Sequence, residues 1–439
     1  MKCFFIICLV LKFTFSLTQK LLGIIDFFRH GARAPLTVDS QGLDMLNIKW
    51  ENGKGALTNI GIRQHYLAGI NIRNKYVDGK KLFSEYFNPD EFSISSTDID
   101  RTIVSAYSRV LGIFPLLNIE DNVLTNNTSQ IIPIPPAVPV LAINYPSILF
   151  QIDDKGVCRG FNERFFIENK ESLQFGVKTI LKINYLVEKF EKSIYPTLKH
   201  KLRLSKKDLK ERQQDNPRFI YHISDAILCA MTEGKDIEKL ELSHENIRFF
   251  KEYKDFFLVY GKRSDNHLKI MSVPLFDKII EIAERYLSQN DKLKYVGFSI
   301  HDKNLITFYR VLKQMYEGLK EISFHFSSEL LIEVYDDGEI KMLFNNESFL
   351  QINIKEFKEK RNINLMSNYE FNEFCGFLDL TDDKLILTSK GILICFCLFD
   401  SILAGMIIIM IKIRKSKGKN IIEIKEVKLI EKQLINETV

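Results

Sequence analysis

Three times along this chain a short apolar segment runs straight into a knot of polar and charged residues, and an amphipathic helical pattern follows. That order is the grammar of an α/β sheet, with helices packed on its faces and chemistry at the carboxyl ends of its strands. The first unit is Leu21 to Phe28, entering Arg29, His30 and Gly31; Thr58 then suits an N-cap, with Ile62, Tyr66 and Ile70 on one helix face. The second is Glu91 to Ser96, followed by Thr97, Asp98, Asp100, Arg101 and a helix toward Leu111. The third is Tyr295 to Ile300, followed by His301, Asp302 and a helix through Leu305, Phe308 and Leu312. The pattern predicts a mixed, mostly parallel sheet flanked by helices.

Between the second and third units, Ile180, Ile183, Val187, Phe190 and Ile194 recur at three and four residues, which predicts an inserted, mainly helical cap over roughly residues 130–290. Leu330 to Tyr335 and Glu339 to Phe344 flank Asp336, Asp337 and Gly338, a hairpin signal. With 439 residues, 46% of them hydrophobic, the chain can bury one large core, expected over residues 19–385. The net charge of +5 owes much to Lys412, Arg414, Lys415, Lys417 and Lys419, so nucleic-acid binding is not indicated.

The two ends read as addresses. Residues 1–18 carry Lys2, an apolar run and the small-residue end Ser16, Leu17, Thr18, which predicts a cleaved signal peptide; Lys12 leaves an uncleaved anchor open. Residues 391–411 are apolar and long enough to span a bilayer, and the basic residues after them predict a cytoplasmic tail over residues 412–439. Asp400 within that span has no assigned role. The expected topology is a single-pass type I membrane protein whose large N-terminal domain is lumenal or extracellular. Asn126, Asn127 and Asn346 would then be glycosylation candidates, and only Cys158, Cys229 and Cys375 would meet an oxidising lumen.

Arg29, Arg33 and Arg101 supply planar cationic donors that match a phosphate group, and His30, His301 and Asp302 add two imidazoles and a carboxylate. Phosphoryl transfer needs mainly positioning and positive charge, and this set can provide both without a metal or cofactor. His30 then serves as nucleophile and Asp302 as proton donor, which favours acidic pH. His65 reads as a packing residue or a support for a catalytic neighbour, and Trp50 as an anchor under the loop after the first strand. Asp26, inside the first strand, has no evident explanation.

Arg29, His30, Gly31, Ala32, Arg33, Ala34 and Pro35 resemble the RHGxRxP signature of the histidine acid phosphatases. Trp50, Gly55, Leu57, Thr58, Gly61, Gln64, His65 and Tyr66 are similar to a second stretch of that family, Ser96 to Thr102 to a third, and His301 and Asp302 to its late His-Asp pair. The resemblance covers roughly residues 20–380. It implies an acid phosphatase acting on small phosphorylated substrates through a phosphohistidine at His30, with phosphate held by Arg29, Arg33, Arg101 and His301 and a proton given by Asp302. It also implies a bridge between Cys158 and Cys375, a free Cys229, a lysosome-like or cell-surface location, and a possible homodimer, since the family often dimerises. Lys303 and Asn304 depart from the family's two threonines at the pocket rim. Two rival readings are a phytase-like enzyme with a wider basic pocket and a catalytically silent tethered ectodomain.

Overall fold

The computed structural model describes residues 19–114, 117–120, 131–134, 139–143, 158, 160, 173–260 and 265–376. The expected signal peptide, membrane span with Asp400, and tail, and Asn126 and Asn127, lie outside the described residues. Among the described residues no helix is long and apolar enough to cross a membrane.

Among the described residues, seven strands form one sheet in the order β5-β2-β6-β1-β7-β8-β9. They are β1 (Leu21–Arg29), β2 (Phe92–Thr97), β5 (Leu141–Ile143), β6 (Tyr295–Ile300), β7 (Glu329–Tyr335), β8 (Glu339–Phe344) and β9 (Glu347–Asn353). A separate antiparallel pair joins β3 (Leu117–Glu120) to β4 (Ile131–Ile134). In the large sheet β5, β2, β6 and β1 run parallel, and β7 to β9 add antiparallel on the other side. β1 and β6 are buried almost throughout, which is why they read as near-continuous apolar runs, interrupted by Asp26 and Ser299. The hairpin expected around Gly338 is the β7–β8 turn, and Asn346 lies exposed in the turn from β8 to β9.

Helix α1 (Asn59–Ile72) follows β1, and Thr58 caps it by accepting from Gly61 N. Its packing differs from the expected stripe. Ile62 and Tyr66 are 40% and 44% exposed, while Gly61, His65, Gly69 and Ile72 are buried. The reason is backbone approach: a Cβ on Gly61 would lie 2.2 Å from Ala32 O, and one on Gly69 would lie 2.1 Å from Arg109 O. Only glycine at these two points of contact lets α1 settle this closely on the loop after β1 and on α2 (Asp100–Ile113).

Between β5 and β6 come α3 (Leu173–Lys189), continued by a π-helical turn at Phe190–Ile194, then α4 (Lys206–Gln214), α5 (Asn216–Thr232), α6 (His244–Tyr260) and α7 (Asp265–Ser288). Phe190, Ile194, Phe219, Ile223 and Phe250 share a core with Ala34, Leu46 and Trp50, so the loop after β1 is anchored in the inserted helices. Trp50 also donates to Asp44 Oδ2 at 3.0 Å. α7 packs on the sheet instead: Tyr286 donates to Ile24 O, and Phe276 meets Phe308 of α8 (Asp302–Met315). α9 (Ile354–Asn364) and α10 (Asn368–Cys375) follow the last strand, and Cys375 is bonded to Cys158.

Candidate active site

Strands β2, β6 and β1 are neighbours and parallel, so their carboxyl ends deliver Thr97 to Arg101, His301 with Asp302, and Arg29 to Arg33 to one place. All six side chains singled out from sequence gather there. The rings of His30 and His301 have centroids 5.6 Å apart, Arg29 Nη2 lies 2.8 Å from Asp302 Oδ2, and Arg101 Nη2 lies 3.5 Å from His301 Nδ1.

The backbone holds His30 rigidly. Its N–H donates to Ile300 O at 3.0 Å and its carbonyl accepts from Ser327 N at 3.1 Å. His30 Nδ1 sits 2.9 Å from Gly31 O, which can only accept, so the proton resides on Nδ1 and Nε2 keeps its lone pair. Burial first, then Arg101, Arg29 and Arg33, lowers this imidazole's pKa well below its ordinary value. His301 is likewise lowered, to about 3, by burial and then by Arg101; its Nε2 meets Thr97 Oγ1 at 3.1 Å. Asp302 starts α8, and Asn304 accepts from His301 N to cap the same helix. Burial opposes the charge of Asp302, but Arg29, then Lys254 and Arg33, outweigh it and hold the carboxyl at about 2.

Arg29, Arg33 and Arg101 each bury an Nε–H that has no hydrogen-bond partner among the described residues. Buried donors are normally satisfied, so three orphaned guanidinium N–H groups around two imidazoles fit a tetrahedral anion. Burial and then Arg33 lower Arg101 to about 10. The same residues could hold a phosphoryl group while a neutral imidazole attacks it. Among the described residues no three His, Cys, Asp or Glu side chains cluster as metal ligands.

The profile of the histidine phosphatase superfamily (branch 2) matches residues 23–351. The chain belongs to that family. It is 36% identical over 100 residues to human prostatic acid phosphatase, covering 23% of this chain and 25% of that one. It is 32% identical over 98 residues to lysosomal acid phosphatase of Xenopus laevis, covering 22% of each. The matched segments thus span about a quarter of the length of these relatives. Among solved structures, the phytase from Citrobacter braakii aligns with a TM-score of 0.54 at 13% identity, over 79% of this chain and 98% of that one. Klebsiella sp ASR1 phytase aligns at 0.55 and 10% identity, over 79% and 96%. At such identities the likeness establishes the fold of the family alone.

On this family fold, several site residues went unnoticed in the sequence. Asp225 of α5, fully buried, accepts from Arg33 Nη1 at 3.0 Å and Nη2 at 2.9 Å, from Lys254 Nζ at 2.8 Å and from Leu36 N at 3.3 Å. Burial raises its carboxyl, yet Arg33 and Lys254 prevail and hold it far below the ordinary range. One and two turns on, Cys229 takes a contact from Arg33 at 3.7 Å and Glu233 accepts from Thr58. Cys229 is unbridged and buried. The stripe 225, 229, 233 therefore clamps the loop after β1. Phe326 lies over Arg29 at 4.3 Å and 5.9 Å from the His30 ring, screening both from water.

Asp26 also gains its explanation. It pairs with Arg109 of α2 at 2.7 Å and accepts from Tyr295 at 2.7 Å, while Arg109 reaches on to Glu329 of β7. Burial raises the Asp26 carboxyl and Arg109 opposes it. Four elements, β1, α2, β6 and β7, are thereby tied together. His65 donates to Arg29 O at 3.0 Å and stays neutral, lowered to about 3 by burial and then by Arg109.

Proposed function

We propose that the protein hydrolyses small phosphate monoesters, as an acid phosphatase does, in two steps through a phosphohistidine at His30. One observation carries the reading: a buried neutral imidazole with its Nε2 lone pair free, surrounded by three arginines with unspent N–H donors. Nε2 attacks phosphorus as the ester P–O bond breaks, and Asp302 gives the departing oxygen its proton. Water then attacks phosphorus, the N–P bond breaks, and its proton passes to the Asp302 carboxylate, leaving inorganic phosphate. Arg29, Arg33, Arg101 and His301 hold the equatorial oxygens.

The resting Asp302 carboxyl, at about 2, is too acidic to carry a proton at mild acidity. Arriving phosphate resolves this. Its negative oxygens draw Arg29 away from Asp302 and place a like charge nearby, and both effects raise the carboxyl so that it takes up the proton it later gives. The bridge of Cys158 to Cys375 supports an oxidising, extracytoplasmic compartment, in keeping with a secreted or membrane-tethered enzyme. Purified protein should hydrolyse para-nitrophenyl phosphate at acidic pH and lose at least about 10⁴-fold in rate with His30→Ala; undiminished turnover in that variant would remove His30 from the chemistry.

A further inference from the structure

A cavity of about 300 Å³ opens beside Arg29 and Asp302. Leu228, Met231 and Phe326 give it an apolar lining, and Lys251 and Asp255 of α6 and His325 line it as well, with Lys251 at its solvent-exposed side. Arg29 and Asp302 belong both to this lining and to the catalytic cluster, so a leaving group protonated by Asp302 would extend into this space. Two lysines of α6 face it, three residues apart on one helical side, but they differ in state. Lys254 is 4% exposed and spent on Asp225. Lys251 is exposed and has no ion-pair partner among the described residues.

We infer that Lys251 forms an acid-recognising subsite, so that the preferred substrates are phosphate esters whose leaving group carries a carboxylate or second acidic group at the end remote from phosphate. The inference rests on the proposed phosphatase reading. Its geometry is that of a fixed post: Lys254 locks α6 to α5 through Asp225, so the ammonium one turn away is presented from a rigid helix. The apolar lining of Leu228, Met231 and Phe326 suits an aryl or short aliphatic spacer. Asp255, which accepts from Ser323 at 3.3 Å, lies in the same wall and opposes an acidic group. Its effect must therefore have the opposite sign to that of Lys251.

The test compares para-carboxyphenyl phosphate with para-carbamoylphenyl phosphate, nearly the same in shape and different in charge, at about pH 6, where a free carboxylate is ionised. Lys251→Met should cut the carboxylate-to-amide ratio of kcat/KM by about three- to fivefold, the size of a partly exposed ion pair, with the change in KM. Asp255→Asn should raise that ratio. An unchanged ratio in Lys251→Met, or a fall in Asp255→Asn, overturns the subsite while leaving phosphatase activity intact. Turnover of neither ester by the unmodified protein overturns the reading beneath it as well.

Discussion

His30 and Asp302 divide the chemistry because their surroundings push them in different ways. An ordinary imidazole, with pKa about 6.5, would be about 99% protonated at pH 4.5 and useless as a nucleophile. His30 is lowered well below that by burial and three arginines, so its lone pair survives acid. The sign is definite: kcat/KM for an ester with a good leaving group should not fall between about pH 6.5 and 4.5, and a profile dropping with an apparent pKa near 6.5 would contradict it. Asp302→Asn should slow alkyl phosphates by about 100-fold or more and nitrophenyl phosphate far less, because only a poor leaving group needs the proton. Equal losses would take the donor role from Asp302. These side chains were legible in sequence because each stands directly after a strand. Asp26 was not, since its partner Arg109 lies on another element and Glu329 a further 220 residues along.

At the scale of elements, α5 is as much part of the site as any strand end. Asp225, Cys229 and Glu233 read as an unremarkable mixed helix face, and nothing local announces that Arg33 will meet them. Asp225→Asn should cost about 3–5 kcal/mol of stability, because it strands two buried cations. It should also lower kcat/KM by about 10²-fold, because Arg33 loses its bidentate anchor. Adding Lys254→Met should restore part of the melting temperature, by removing one stranded charge, but not the rate. Recovery of both would make Asp225 a purely structural residue. The α1 stripe teaches the converse lesson: Ile62 and Tyr66 suggested an apolar face, but Gly61 and Gly69 decide the packing, because close backbone contact outweighs side-chain pattern there.

For the molecule as a whole, strand–cluster–helix order was readable, and with it the parallel half of the sheet. The insertion of β6 between β2 and β1 was not, for it depends on pairing across some 200 residues of intervening chain. The Cys158–Cys375 bridge spans 217 residues and ties the chain's late helix to its middle. Closing so long a loop restricts the unfolded chain strongly, so Cys158→Ser should lower stability by about 2–5 kcal/mol, read as a fall in melting temperature that reductant reproduces in the unmodified protein. The central claim, that one anion-sized site is built around a nucleophilic imidazole, has a direct measurement. The protein is mixed with a ³²P-labelled aryl phosphate, quenched in alkali within milliseconds, digested and mapped. Acid-labile, alkali-stable label on the peptide containing His30, absent in His30→Ala, is the predicted result; turnover with label elsewhere, or with no covalent label, would contradict it.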